Sequence, residues 1–241
     1  MLLSVAVDNS TRKSEVLFSG SDGAEANWPT PGSIFSFVPA DGASRAGAVA
    51  QQLSRTLTEG LGGSVLLADF DRRAYSVWSA NEPQRRLDGR TWGAFVSQVD
   101  GIEVLNAREV HARQLAPLLE YAREHYRIVC ADLTEAKESH ALEVLLASEA
   151  IFLVSSSRHA SLEGVCEKTS WLRQIDLGAR CALLLDRDPN GVSPREAEEI
   201  TGLPLCSLVE SASHIQQLAS WLMACTDTAE EAAEEALAIA V

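Results

Sequence analysis

The chain has 241 residues, 46% hydrophobic and 22% charged, which suits one three-layer domain with a large core and leaves no long disordered tract. A formal net charge of −14 argues against a nucleic-acid binder, because that mode of binding depends on clustered Lys and Arg releasing counterions. Five cysteines (Cys130, Cys166, Cys181, Cys206, Cys225), none in a CxxC pair, read as free, mostly buried thiols of a reducing compartment.

Residues 1–7 are apolar but short, lack a basic flank and run into Asp8, Asn9 and Ser10, which does not fit a signal peptide. No apolar run approaches the roughly 18 residues that a membrane span needs. The expectation is a cytoplasmic protein, peripheral at the inner membrane only where a partner carries it there. Residues 1–32 read as an N-terminal arm or linker, with one candidate strand at 15–18 and a Gly/Ser/Asp/Pro-rich run ending in Trp28-Pro29-Thr30-Pro31-Gly32.

From residue 33 strands and helices alternate. Near-continuous Val/Ile/Leu runs predict buried strands at 34–38, 64–69, 102–105, 128–132, 150–154, 181–186 and 205–209. Apolar residues at helical spacing predict helices over 46–59, 110–126, 139–147, 162–175, 194–201 and 213–224. The expected fold is α/β: a doubly wound, mostly parallel sheet with helices on both faces, occupying 33–224. The segment 225–241 places Asp227, Glu230, Glu231, Glu234 and Glu235 among alanines and ends in Leu237, Ile239 and Val241. It reads as an acidic helical tail, or more sharply as a docking tail.

Three segments recur in a telling order. A strand runs into a turn and helix at 33–53 (SIFSFVPADGASRAGAVAQQL), a strand ends in acids at 65–73 (VLLADFDRR), and a third, at 126–132 (YRIVCAD), ends in Asp132. This order resembles the deviant-Walker P-loop ATPases, the MinD/ParA group that also contains the capsule-synthesis tyrosine kinases and the TadZ/CpaE-type pilus-assembly proteins. The likeness continues through 148–154, 177–187 and 201–205, covering about residues 33–222.

In working members of such a family, loop amides curl around the phosphates, a lysine reaches the β and γ groups, and a hydroxyl holds magnesium. Aligned on Leu53, the resemblance places Gly42 on a family glycine. It puts Asp41 at the signature lysine, Arg45 at the last glycine, Ala46 at the invariant lysine, and Gly47 and Ala48 at the hydroxyl pair. A second register, with Gly42 and Gly47 bracketing the loop, puts Ala48 and Val49 at the lysine and hydroxyl positions. Either way the ammonium and the hydroxyl are missing, and Arg45 is the cation left to the loop.

The acids match better. Asp69 and Asp71 fall on the family's Asp-x-Asp, Asp132 on the Walker B acid, and Asp186-Arg187 where an Asn-Arg pair usually meets adenine. The resemblance therefore implies vestigial catalytic positions at Asp69, Asp71 and Asp132, a metal position at Asp69 and Asp132, and a vestigial nucleotide loop with Asp186 at the base. Strand-end aspartates also cap the turn that follows them, which leaves a structural reading open.

Other chemistries find less support. The tail carries no tyrosine for self-phosphorylation, and Tyr75, Tyr121 and Tyr126 read as packing residues. The five histidines show no ligand spacing and read as surface or cap residues. Ser155, Ser156 and Ser157 lack a Gly-x-Ser-x-Gly elbow. The expectation is a pseudo-ATPase scaffold of an exopolysaccharide or pilus assembly system, without cofactor, that pairs with itself or with an active relative. The alternatives are a weak ATPase using Arg45 with magnesium at Asp69 and Asp132, and a metal- or second-messenger-binding regulator.

Overall fold

The computed structural model describes residues 32–61, 64–70, 92–107, 110 and 112–239. The candidate strand at 15–18, the arm through residue 31, Asp71 and Tyr75 lie outside them.

Among the described residues eight strands form one sheet: β1 (Ser33–Pro39), β2 (Val65–Asp69), β3 (Val96–Val99), β4 (Ile102–Asn106), β5 (Ile128–Asp132), β6 (Ala150–Ser156), β7 (Cys181–Asp186) and β8 (Leu205–Leu208). Their spatial order is β3-β4-β2-β5-β1-β6-β7-β8. Every pairing is parallel except β3 with β4. Central strands β2 and β5 are buried at every position, which is why they read as unbroken apolar runs rather than alternating ones.

Among the described residues six α-helices flank the sheet: α1 (Ala46–Leu61), α2 (Ala112–His125), α3 (Glu138–Ala147), α4 (His159–Gln174), α5 (Pro194–Thr201) and α6 (Ala212–Ile239). Two separate cores identify the layers. One gathers Leu118 of α2, Val144 of α3, Leu162 of α4 and Ala197 of α5 against one sheet face. The other gathers Leu53 of α1 and Leu218 of α6 around Phe35, Phe37 and Phe152 on the opposite face. Phe37 and Phe152 meet in a tilted pair with ring centroids 5.4 Å apart, a favoured offset geometry.

Three features depart from the sequence expectation. Edge strand β3 is not among the expected strands, because Val96-Ser97-Gln98-Val99 is half polar and only partly buried. Its signal lies in Asp100-Gly101, whose φ values of 52° and 82° make the two-residue hairpin turn that Asp-Gly favours. His140, expected as a surface or cap residue, is buried beside Phe70, with ring centroids 6.1 Å apart. Finally, α6 runs unbroken from Ala212 to Ile239, past residue 224 where the expected helix ended.

The thiols are free, and burial pushes those of Cys130 and Cys206 up to about 12, which keeps them protonated and unreactive. Among the described residues no helix is long and apolar enough to cross a membrane.

Glu149, at the N-terminal edge of the sheet, accepts the Ile34 amide and pairs with Arg123. Burial nevertheless outweighs these partners and lifts its pKa above the ordinary glutamate value. The folded chain thus holds this proton more tightly than the unfolded chain does. The resulting stability is fully present below the unfolded pKa and is lost as pH rises through the folded one. Urea melts between pH 4 and 8 (about the window set by an ordinary Glu pKa) should therefore show a fall in wild-type stability with rising pH that Glu149→Gln lacks. Parallel pH profiles would remove this role from Glu149.

Candidate functional site

The site follows from one rule of parallel sheets: loops that leave the C-terminal strand ends gather at one edge, where ligands of doubly wound folds bind. Register places Asp69 beside both Asp132 and Asn106, and Phe37 on the far side of Asp132. Two acids expected from sequence to share a site are therefore neighbours on adjacent strand ends, 2% and 4% exposed.

The Asp132 carboxylate is already engaged. Its Oδ1 accepts the Thr134 amide at 3.0 Å and the Thr134 hydroxyl at 2.6 Å, a side-chain turn that caps the strand end. Its Oδ2 lies against Gly47, where an added Cβ would stand 2.6 Å away, with Thr134 Oγ1 at 3.3 Å. The absence of a side chain at 47 lets α1 approach the end of β5 this closely. Thr134 is not among the residues expected from sequence, although Asp-x-Thr after a strand is a turn signal. Among the described residues no group of three or more His, Cys, Asp or Glu side chains is arranged to hold a metal ion.

The loop between β1 and α1 is closed on itself. Asp41 Oδ1 accepts the Ala43 amide at 2.9 Å, and the Asp41 carbonyl accepts the Ser44 amide at 3.2 Å. The Val154 carbonyl then receives both the Ala40 amide, at 2.8 Å, and the Ser44 hydroxyl, at 2.7 Å, which ties the loop to β6. Two amides that a phosphate loop would direct at its anion are thus occupied from within, one of them by a carboxylate.

Gly42 is exposed, with open space for 4 Å around the place a Cβ would occupy. It also lies outside the positive-φ region, so no phosphate-cradling geometry requires a glycine there. Ala46, aligned with the invariant lysine, is fully buried in the α1/α6 core.

Arg45 extends across to the end of β7, where its guanidinium stands 3.5 Å from the Asp186 carboxylate. Because the Arg45 side chain is 55% exposed, this pair contributes at most about 1 kcal/mol, yet it joins the two ends of the expected nucleotide groove. Arg187 turns instead to Glu210, with both oxygens 3.0 Å from its Nε. That guanidinium holds Glu210 below the usual carboxylate range.

The loop after Asp186 is clasped to the end of β6. The Asp188 amide donates to Ser157 Oγ at 2.8 Å, and the Val192 amide to the Ser157 carbonyl at 2.8 Å. The Asp188 carboxylate, lowered in pKa by the Asn190 amide and Arg158, accepts Arg158 Nε at 2.6 Å. Gly164 of α4 is a further residue that sequence reasoning passes over: an added Cβ there would lie 2.6 Å from the Ala40 carbonyl, at the start of the loop. The two described tyrosines serve packing. Tyr126 is buried, donates to Glu103 and accepts from Trp92, while Tyr121 stacks on His125 with ring centroids 3.9 Å apart.

No protein-family model matches the sequence, and no curated protein matches it. Solved structures do. A ParA family ATPase from Chlorobium tepidum TLS superimposes with a TM-score of 0.60 at 16% identity, covering 77% of this chain and 90% of that one. The cell-division ATPase MinD of Pyrococcus furiosus gives 0.59 at 18% identity, covering 80% and 98%. MinD of Aquifex aeolicus gives 0.63 at 12% identity, covering 80% and 97%.

The chain has the MinD/ParA fold.

On that fold Asp69, Asp132 and Asp186 end the parallel strands β2, β5 and β7, and Arg45, ahead of α1, reaches Asp186. Of the acids singled out in the sequence, Asp69 and Asp132 are neighbours and Asp71 lies outside the described residues, while each of Asp41, Arg45, Asp132 and Asp186 engages a group of the chain itself.

Proposed function

We propose that the chain is a MinD/ParA-like pseudo-ATPase that acts as a protein-interaction scaffold or regulator. The observation that carries this reading is the loop at 40–45, where the Asp41 carboxylate already bonds a loop amide and Arg45 is paired with Asp186. An entering triphosphate would meet carboxylates at the loop. Each close pair of like charges costs about 4 kcal/mol at 4 Å and moderate effective dielectric. No lysine or hydroxyl stands at the aligned positions to offset this.

The setting proposed, the cytosolic face of an exopolysaccharide, cellulose or pilus assembly system, rests on the sequence resemblance to capsule-kinase-like and TadZ/CpaE-like proteins. Structural neighbours include a MinC:MinD cell division protein complex from Aquifex aeolicus and a MinD complexed with Mg-ADP from Pyrococcus horikoshii OT3. Pairing of this chain with itself or with an active relative is part of the proposal, and it would not depend on ATP.

Calorimetric titration with ATP and magnesium tests the reading. The expected result is no measurable heat. Micromolar affinity would instead establish the rival, a weak ATPase with magnesium at Asp69 and Asp132, whose adjacency on β2 and β5 is the observation in its favour.

A further inference from the structure

A band of large apolar side chains lies on the outside of the α3–α5 layer. Leu142 and Leu146 belong to α3, Trp171 to α4 and Ile200 to α5, with Leu146 52% and Trp171 44% exposed. Single exposed apolar residues are ordinary on protein surfaces, but a row of them on adjacent elements marks an interaction site.

The row follows from topology. Each of these helices leads into the N-terminal end of β6, β7 or β8, which are parallel neighbours, so their last turns lie along one edge of the domain. Leu146 and Ile200 are the penultimate residues of their helices, and Trp171 lies in the last turn of α4.

That edge is fastened from one helix to the next. Arg180, ahead of β7, donates to the Leu146 and Ser148 carbonyls at 3.3 and 2.8 Å. Arg173 of α4 donates to the Gly202 carbonyl at 3.4 Å, and the Cys166 thiol to the Ile200 carbonyl at 3.4 Å. Guanidinium groups at helix C-termini also complement the helix dipole.

Toward the N-terminal turns of the same helices the exposed positions turn acidic: Glu138, Glu163, Glu167 and Glu196. Arg158 and Arg195 there are taken by Asp188 and Glu199, and Lys137 and the half-buried Lys168 offset the acids only in part.

We propose that this band docks an amphipathic, basic helix of another protein. Its apolar face would seat on Leu146, Trp171 and Ile200, and lysines or arginines on one flank would face Glu163 and Glu167. A second copy of this chain is the poorer occupant, since it would set acids against acids on a molecule of net charge −14. The inference rests on the scaffold reading but fails separately from it. ATP titration interrogates the loop at 40–45, whereas the test below interrogates the opposite end of the strands.

The probe is a labelled helical peptide with leucines on one face and lysines on the other, followed by fluorescence anisotropy, with circular dichroism to verify that each variant is folded. Wild type should bind it. The pair Trp171→Ala and Leu146→Ser should weaken binding about tenfold or more, as loss of an aromatic anchor does. Glu163→Lys with Glu167→Lys should weaken it similarly and create binding to a leucine/glutamate peptide. The proposal is overturned by absence of binding, by an alanine/lysine peptide binding equally well, or by variants indistinguishable from wild type. It is equally overturned by wild-type dimerisation that Trp171→Ala abolishes, which would make a second copy the occupant.

Discussion

Reinstalling the family's ammonium and hydroxyl with Ala46→Lys and Gly47→Thr is expected to lower stability by about 2–4 kcal/mol and to leave ATP binding undetectable. The reason is steric before it is electrostatic. Any β-carbon at 47 meets Asp132 Oδ2 at 2.6 Å, and that carboxylate has little freedom to retreat, being 4% exposed and bonded by Thr134 through both amide and hydroxyl. A lysine at 46 starts from a position buried among Val49, Ala50 and Leu53, so its stem displaces core side chains before its head can reach the loop. Urea melts of the single and double variants, with calorimetry in ATP and magnesium, check both halves. A double variant that melts like wild type and binds ATP at micromolar concentration would show that two side chains were all the loop lacked.

A second large effect is expected at a glycine outside the resemblance to any phosphate loop. Gly191→Ala should cost about 2–3 kcal/mol, a fall in melting temperature of roughly 5–10 °C for a domain of this size. The added methyl would sit 2.0 Å from Ser157 Oγ and 2.5 Å from the Ser157 carbonyl oxygen, and the second of these is backbone that cannot rotate away. Relief requires the loop to lift from β6, breaking the Val192 amide bond to Ser157 and the Asp188 amide bond to its hydroxyl. Amide hydrogen exchange at Val192 and Asp188 should accelerate accordingly. Gly42→Ala is the internal control. With open space around it and an ordinary φ, it should stay within about 0.5 kcal/mol of wild type or stabilise slightly through the unfolded chain. Equal melting of the Gly191 and Gly42 variants would mean that the clasp at Ser157 contributes little.

These contrasts mark where the sequence is legible. Buried parallel strands announce themselves, because a strand covered on both faces has no polar positions to blur the signal, and β2 and β5 stand within a residue of their expected ends. The helix at 194–201 is equally plain, with Ser193 as N-cap, Pro194 in its first turn and Gly202 at φ 64° closing it. Edge strand β3 escapes because partial burial removes that signal, leaving its Asp-Gly turn as the clue. His140 escapes for the opposite reason. A polar ring is expected in solvent, although α3 turns it inward onto Phe70.

By itself the sequence determined the chemistry available: acids at the ends of β2, β5 and β7, and small apolar groups where an ammonium and a hydroxyl would stand, since residue identity needs no fold to be read. Only tertiary structure decided what those groups touch. Asp41 closing its own loop, Arg45 reaching Asp186, Asp132 resting on Gly47, and the apolar band from Leu146 to Ile200 depend on contacts between strands and helices far apart in the chain. Such contacts are set by sheet order and by how closely helices can approach, and neither quantity is carried by local residue patterns.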